Sequence, residues 1–253
     1  MIDLHNKVAL ITGSSRGIGR GCAIEMAKCG ADIVLNYRTH PDEAEAVAQA
    51  VRQLGRHAIT VGADVAEREA VEAMVQQGVD QFGKIDTLVN NAAMSIRKPF
   101  LDISVAEVSR TIDVCMWGVF HCSQAVARQM VKRGEGGKIL IISSVHAFIP
   151  FGNSVAYNTA KAGINNMGYT MATELAQHRI NVNVIEPGWT DTPGERNFAT
   201  DEELQAGGQK LPWGRLGTIE DIGKAAAFLC SDAADYITGA CLRVDGGFWL
   251  PWY

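Results

Sequence analysis

The sequence predicts an α/β fold, a parallel sheet covered by helices on both faces, and three observations carry that prediction. Short apolar runs alternate with longer helical patterns from end to end, a glycine-rich turn joins the first run to the first helix, and no Pro/Ser-rich linker or internal repeat divides the chain. With 253 residues, 47% of them hydrophobic, the chain can bury one large core, so a single domain over 1–253 is expected.

The elements follow in order. KVALIT (7–12) is a strand bounded by a glycine turn, and RGCAIEMAKCG (20–30) is the first helical pattern. ADIVLNY (31–37), PDEAEAVAQAVRQLG (41–55) and HAITVGADV (57–65) complete a βαβαβ unit. Further strands are expected at IDTLVNN (85–91), GKILIISS (137–144), RINVNVIEP (179–187) and ACLRVDG (240–246), about seven in all, with helices near 66–82, 105–132, 155–177 and 219–230. The stretch 189–216 breaks the rhythm with glycines, prolines and charges after a strand. Ligands of open α/β sheets bind beyond the carboxyl ends of the strands, so 189–216 reads as a substrate-side flap with a short helix. Its two tryptophans argue against the alternative, a disordered insertion.

Charge and cysteine usage exclude several classes. A net charge of -5 and no Lys/Arg-rich run argue against a nucleic-acid partner. The densest basic stretch, RQMVKR at 128–133, is expected at the solvated end of a helix stopped by the glycines that follow. Cys22, Cys29, Cys115, Cys122, Cys230 and Cys241 form no CxxC pair and no metal-ligand spacing, so reduced, mostly buried thiols and no metal are expected. No basic leader with a long apolar core opens the chain, and no run approaches the roughly 18 apolar residues of a membrane span, which points to a cytoplasmic protein with no membrane partner.

Two constellations carry chemistry. TGSSRGIG (12–19) follows the first strand and opens the first helix, with glycines spaced G-x-x-x-G-x-G. Gly13, Ser15, Arg16, Gly17, Ile18 and Gly19 are therefore candidates to cradle a dinucleotide pyrophosphate at a helix N-terminus. A merely structural turn is the alternative. The second strand ends Asn36-Tyr37-Arg38 without the carboxylate that bonds the ribose 2′-hydroxyl of NAD. Arg16 and Arg38 thus favour NADP or dual use, unless Arg38 is directed at solvent. The second constellation is Tyr157 and Lys161, four residues apart and so on one helix face, with Ser144 thirteen residues upstream. The ammonium would favour the tyrosinate of a phenol whose ordinary pKa is about 10. The spacing alone fits equally a surface Tyr and Lys on an amphipathic helix.

TGSSRGIG, LVNNAA (88–93), Ser144, Tyr157-x-x-x-Lys161 and IEPGWTDTP (185–193), in this order, make the chain resemble the short-chain dehydrogenase/reductase family over essentially its whole length. The resemblance implies a single-domain Rossmann-type fold with a seven-stranded sheet, a dimer or tetramer, and hydride transfer between a nicotinamide cofactor and an alcohol or carbonyl. It implies Tyr157 as general acid/base and Ser144 as the hydroxyl that orients the substrate oxygen. Lys161 is implied to lower the Tyr157 pKa and to bind the nicotinamide ribose. By the same likeness Asp64 and Val65 contact adenine, and Asn91 and Ala92 lie beside the adenosine ribose. Pro187, Gly188, Thr190 and Thr192 hold the nicotinamide end.

Two positions depart from the family pattern. Ala93 stands where a glycine is usual, and Cys115 stands where an asparagine commonly bends the long helix and holds a water of a proton relay. ADIVLNYR, SSVHAFIP, SDAADYITG and VDGG are most similar to glucose 1-dehydrogenases, which implies a small sugar or polyol substrate. Ser144, His146, Asn153 and Trp189 are the candidate substrate contacts. His146 and Asn153 are equally readable as turn and helix-start residues. Met94, Ser95 and Ile96 supply no acidic group for a hexose. A 3-oxoacyl thioester reductase is the alternative enzyme, and a non-catalytic dinucleotide-binding sensor or scaffold is the alternative of another class. Four aromatics in the tail FWLPWY (248–253) predict burial at the interface of a homotetramer or homodimer, against a monomer that packs its own tail.

Overall fold

The computed structural model describes residues 2–250. Seven strands, β1 (Val8–Ile11), β2 (Asp32–Tyr37), β3 (Ala58–Gly62), β4 (Thr87–Asn90), β5 (Gly137–Ile142), β6 (Ile180–Pro187) and β7 (Cys241–Val244), form one parallel sheet in the order β3-β2-β1-β4-β5-β6-β7. This is the single-domain Rossmann-type architecture that the resemblance implied. Every strand points the same way, so all seven carboxyl ends share one edge. The order reverses between β1 and β4, where a crevice opens.

Burial on both faces explains the uniformly apolar strands. Val8 and Leu10 of β1 enter one core, with Val34, Leu88 and Ile139. Ala9 and Ile11 enter the other, with Ile33, Leu35, Val89 and Leu140. Helices α1 (Gly17–Lys28), α2 (Pro41–Gln53), α3 (Arg68–Phe82), α4 (Val105–Ile112), α5 (Gly118–Arg133), α6 (Val155–Leu175), α7 (Asp201–Gln209) and α8 (Ile219–Leu229) cover the two faces and the flap. Their starts follow local rules. Ser104, Thr200 and Thr218 each accept a backbone N–H three residues on, while Glu107, Glu203 and Asp221 return the bond, closing capping boxes on α4, α7 and α8. The basic end of α5 is stopped by Gly134 at φ 77°, as the run at 128–133 suggested.

The helix expected over 105–132 differs from the sequence reading. A π-helical turn, Asp113–Trp117, separates α4 from α5 and widens the helix at Cys115. The flap carries the expected short helix, α7, and a single bridge from Thr190 to Gly217 closes its base. Within the tail, Trp249 packs edge-on against Phe148 (4.8 Å between centroids), Phe248 lies 6.0 Å from Phe151, and Arg243 sits between Phe148 and Trp249. These contacts are made within the chain, and Trp249 remains 48% exposed. Residues 251–253 of the predicted interface tail lie outside the described residues.

Candidate active site

The strand ends assemble the site. The turn after β1 has no room for side chains at two of its glycines: a Cβ on Gly13 would lie 2.9 Å from Ala92 Cα, and one on Gly19 would lie 2.5 Å from both Gly13 O and Asn91 Nδ2. Gly13 and Gly17 also adopt φ of 60° and 57°, open to glycine at no steric cost. No side chain caps the start of α1, so the N–H groups of its first turn face the crevice as an anion site, and the cradle fits a pyrophosphate. Ser15 is buried in the turn, Ile18 packs under it, and Arg16 is exposed at its rim.

Asn91 and Asn36 hold this turn in place. Asn91 Nδ2 donates to Thr12 O (2.8 Å) and Gly13 O (3.0 Å), while the Asn91 and Ala92 N–H groups both donate to Thr12 Oγ1. Asn36, buried at the end of β2, accepts from Gly13 N at 3.1 Å and donates to Ala63 O at 3.0 Å. Asn36 was missed as a site residue. A lone asparagine in an apolar strand is the only sequence signal of it. Ala93 is exposed and its φ is not positive, so its methyl costs the turn nothing.

At the adenosine end, Asp64 accepts from Ala66 N and is paired by Arg110 and, at 3.9 Å, by Arg38. Burial is the largest single influence on the Asp64 carboxyl, but the Ala66 N–H and the Arg110 guanidinium together outweigh it and hold the group below its ordinary value. The Val65 carbonyl meets His121 Nδ1 at 3.2 Å. Arg16 pairs with Glu43 at 3.9 Å. Both Arg16 and Arg38 are about half exposed, and such loose surface pairs contribute under about 1 kcal/mol, so each guanidinium can swing toward a ribose phosphate. At the other end, Pro187 closes β6, and Gly188 passes so close to Asp245 that a Cβ would be 2.7 Å from its Cα. Thr190 donates to Gly188 O, and Thr192 shares a cavity wall with Gly17, where an added Cβ would lie 3.7 Å from the Thr192 Cβ. The flap base and the glycine turn therefore face each other across the crevice.

Ser144, Tyr157 and Lys161 come together beyond β5. Ser144, buried just past that strand, accepts from His146 N at 3.2 Å. Tyr157 and Lys161 lie one turn apart on α6. The Lys161 Nζ donates to Ile142 O at 2.7 Å and lies 5.3 Å from the Tyr157 ring centre, and the residue is only 3% exposed. The resemblance implies that Lys161 lowers the Tyr157 pKa; in the protein without cofactor the phenol is shifted upward. Burial raises the phenol's pKa, the Glu195 carboxylate adds to that, and Ser144 and Arg97 oppose it only in part. Burial likewise pulls the Lys161 pKa below its ordinary value.

The remaining candidates divide. His146 stands edge-on to Tyr157 at 5.1 Å and stacks on Phe151 at 4.3 Å. Asn158 Nδ2 donates to Phe151 O, so its Oδ1 accepts from His146 Nδ1 at 2.6 Å, and the ring's Nε2 stays available. Burial keeps the imidazole below its ordinary pKa and so neutral at pH 7. Trp189 covers Gly207, where a Cβ would be 2.4 Å from the indole, and donates to Glu195 Oε2 at 3.1 Å. Asn153 is an exposed turn residue at φ 60° that precedes the α6 cap, its carbonyl accepts from Lys98 N, and it lines a surface cavity with Phe151 and Asn158. Cys115, 1% exposed, is bonded to the loop after β4, donating to Met94 O (3.2 Å) and accepting from Met94 N (3.4 Å).

Residues 13–249 match a family described as enoyl-(acyl carrier protein) reductase. The chain is 38% identical over 248 residues to L-rhamnose 1-dehydrogenase (NAD(P)(+)) of Sphingomonas sp. (strain SKA58), which covers 98% of each. It is 36% identical over 249 residues to glucose 1-dehydrogenase 2 of Bacillus subtilis (strain 168), covering 98% of this chain and 96% of that one. A solved structure of 7α-hydroxysteroid dehydrogenase complexed with NADH and 7-oxo glycochenodeoxycholic acid superposes with a TM-score of 0.92 at 37% identity, over 97% of this chain and 95% of that one. The chain belongs to the short-chain dehydrogenase/reductase family. It is an oxidoreductase of the kind that uses NAD(P), and no helix among its described residues is long and apolar enough to cross a membrane. Membership was legible in the motifs, whereas the clasps made by Asn36 and Asn91 were not.

Proposed function

We propose that this short-chain dehydrogenase/reductase interconverts a secondary alcohol and its carbonyl on a sugar or polyol, with Tyr157 as general acid/base. The observation that carries the reading is the meeting of Ser144, Tyr157 and Lys161 beside a glycine-rich cradle at one sheet edge. The glucose- and rhamnose-dehydrogenase relatives support the substrate class.

The bound nicotinamide would accept or supply the hydride. The chain's residues do the rest. Ser144 already accepts from His146 N, so its own proton is available to the substrate oxygen and orients it toward the phenol. Tyr157 takes the hydroxyl proton in oxidation and returns it in reduction. Lys161, anchored on Ile142 O, has two further donors for the ribose hydroxyls. The cradle from Gly13 to Gly19 would hold the pyrophosphate. Asp64, Val65, Asn91 and Ala92 would flank the adenosine, and Pro187, Gly188, Thr190 and Thr192 the nicotinamide. NADP or dual use is favoured by Arg16 and Arg38, each only loosely paired.

A panel of sugars, polyols and simple alcohols, followed by cofactor absorbance, tests the substrate class. Tyr157→Phe is expected to lose roughly 100-fold or more in kcat. Turnover left intact would remove Tyr157 from the role. A 36% identical relative named 3-oxoacyl-[acyl-carrier-protein] reductase, from Staphylococcus epidermidis, favours a second reading, reduction of a 3-oxoacyl thioester. A 3-oxoacyl thioester turned over faster than every sugar would establish it.

A further inference from the structure

Met94, Ser95 and Ile96 carry no acidic group, but the flap on the other side carries one, Glu195. Glu195 opens the 3-10 turn Glu195–Asn197, and its carboxylate is held from two sides, by Trp189 Nε1 at 3.1 Å on Oε2 and by Arg97 Nη2 at 3.5 Å on Oε1. Arg97 comes from the opposite wall, the loop after β4, and its guanidinium lies 3.8 Å over the Phe198 ring. The Arg97 and Glu195 side chains are only partly exposed, 34% and 25%, and two flap aromatics fix their positions. Both charges reach the reacting groups electrostatically: Glu195 pushes the Tyr157 pKa up and Arg97 opposes it, while Arg97 pushes the His146 pKa down and Glu195 opposes it.

We infer that Glu195 and Arg97 form a clamp for the non-reacting hydroxyls of a neutral polyol or sugar, which makes them the specificity-determining pair of this enzyme. The inference rests on the sugar or polyol reading above. Three features of the pair support it. Each Glu195 oxygen keeps a free lone pair after its present bond, and the guanidinium keeps donors beyond the one directed at Glu195, so neighbouring hydroxyls can both donate and be donated to. The pair is neutral as a unit. A substrate carboxylate would have to displace Glu195 from Arg97 or lie against its charge, whereas a neutral diol meets both partners without breaking them. Finally, the clamp bridges the flap and the opposite wall, so a substrate that engages it also holds the flap over Tyr157.

The test compares wild type with Glu195→Gln on neutral aldoses and alditols, the matching aldonates, and 2-butanol, which has no second hydroxyl. Glutamine keeps an oxygen for Trp189 but removes the charge. Wild type is expected to favour neutral sugars over aldonates by about 10-fold or more in kcat/KM, the worth of one charge-assisted bond. Glu195→Gln is expected to raise KM for the neutral sugar about 10-fold with little change in kcat, to leave KM for 2-butanol unaltered, and to narrow the discrimination against aldonates. An equal change on sugar and 2-butanol, no change on either, or a wild type that prefers aldonates would overturn the clamp while leaving the sugar reading in place. A wild type that oxidises no sugar or polyol but turns over another alcohol would overturn the sugar reading itself, and the clamp with it. Arg97→Gln, on the other wall, repeats the comparison should Glu195→Gln fail to fold.

Discussion

Asn91→Ala separates a ligand of the cofactor from a clasp of the fold. The likeness to relatives placed Asn91 beside the adenosine ribose, but in the structure its amide donates to Thr12 O at 2.8 Å and Gly13 O at 3.0 Å, pinning the turn after β1 to the end of β4. The substitution removes both bonds and leaves two partly buried carbonyls short of a donor. The Asn91 backbone bond to Thr12 Oγ1 survives. At about 1 kcal/mol for each bond, the loss is about 2 kcal/mol. For a domain of this size that lowers Tm by about 4–8 °C. The assay is thermal unfolding of the cofactor-free protein followed by circular dichroism, with cofactor titration on the same sample. The clasp predicts a lower Tm without cofactor and weaker cofactor binding, because the cradle is no longer held open for the pyrophosphate. A cofactor-free Tm within about 1 °C of wild type, with binding weakened all the same, would refute the reasoning and return Asn91 to a purely ligand role.

Two further outcomes follow from the same geometry. Because burial raises the Tyr157 pKa above its ordinary value of 10.0, the phenol of the protein alone stays protonated up to that pH, and an ultraviolet difference titration of wild type against Tyr157→Phe should show no tyrosinate in the neutral range. The sign follows: reduction, which needs the proton, should hold its rate across neutral pH, and oxidation, which needs the tyrosinate, should rise with pH. An oxidation rate already flat below about pH 7 would show that the site's positive charges outweigh burial. Arg38→Ala should weaken NADP about 10-fold and leave NAD nearly unchanged, one charge-assisted contact being worth about 1.5 kcal/mol. An equal loss for both cofactors, read from their KM values, would count against a 2′-phosphate contact.

The two departures from the family pattern turned out differently once placed in space. Ala93 could be judged from neither composition nor spacing, and it proved harmless because its backbone is in an ordinary region and its methyl meets solvent. Cys115 lies where the helix opens into a π turn and where its thiol bonds Met94 on both sides, so its hydrogen-bonding capacity is spent on the wall of the site. No periodicity of apolar residues signals a π turn, since one inserted residue leaves the flanking helices amphipathic. Asn153 adopts φ 60°, and that left-handed backbone cannot be read from its identity alone.

The sequence by itself determined the layers, the strand and helix order, the glycine cradle, and the Ser144, Tyr157 and Lys161 set, because each depends on local spacing: period-two and period-3.6 burial, a turn only glycine can make, and two side chains one helical turn apart. Only the tertiary structure decided what those groups experience. Burial raises the Tyr157 pKa, Asn36 and Asn91 clasp a turn tens of residues away, and Glu195 meets Arg97 across 98 residues of sequence. Electrostatic and hydrogen-bonding environments are sums over neighbours in space, and chain order does not encode those neighbours until the sheet has brought the strand ends together.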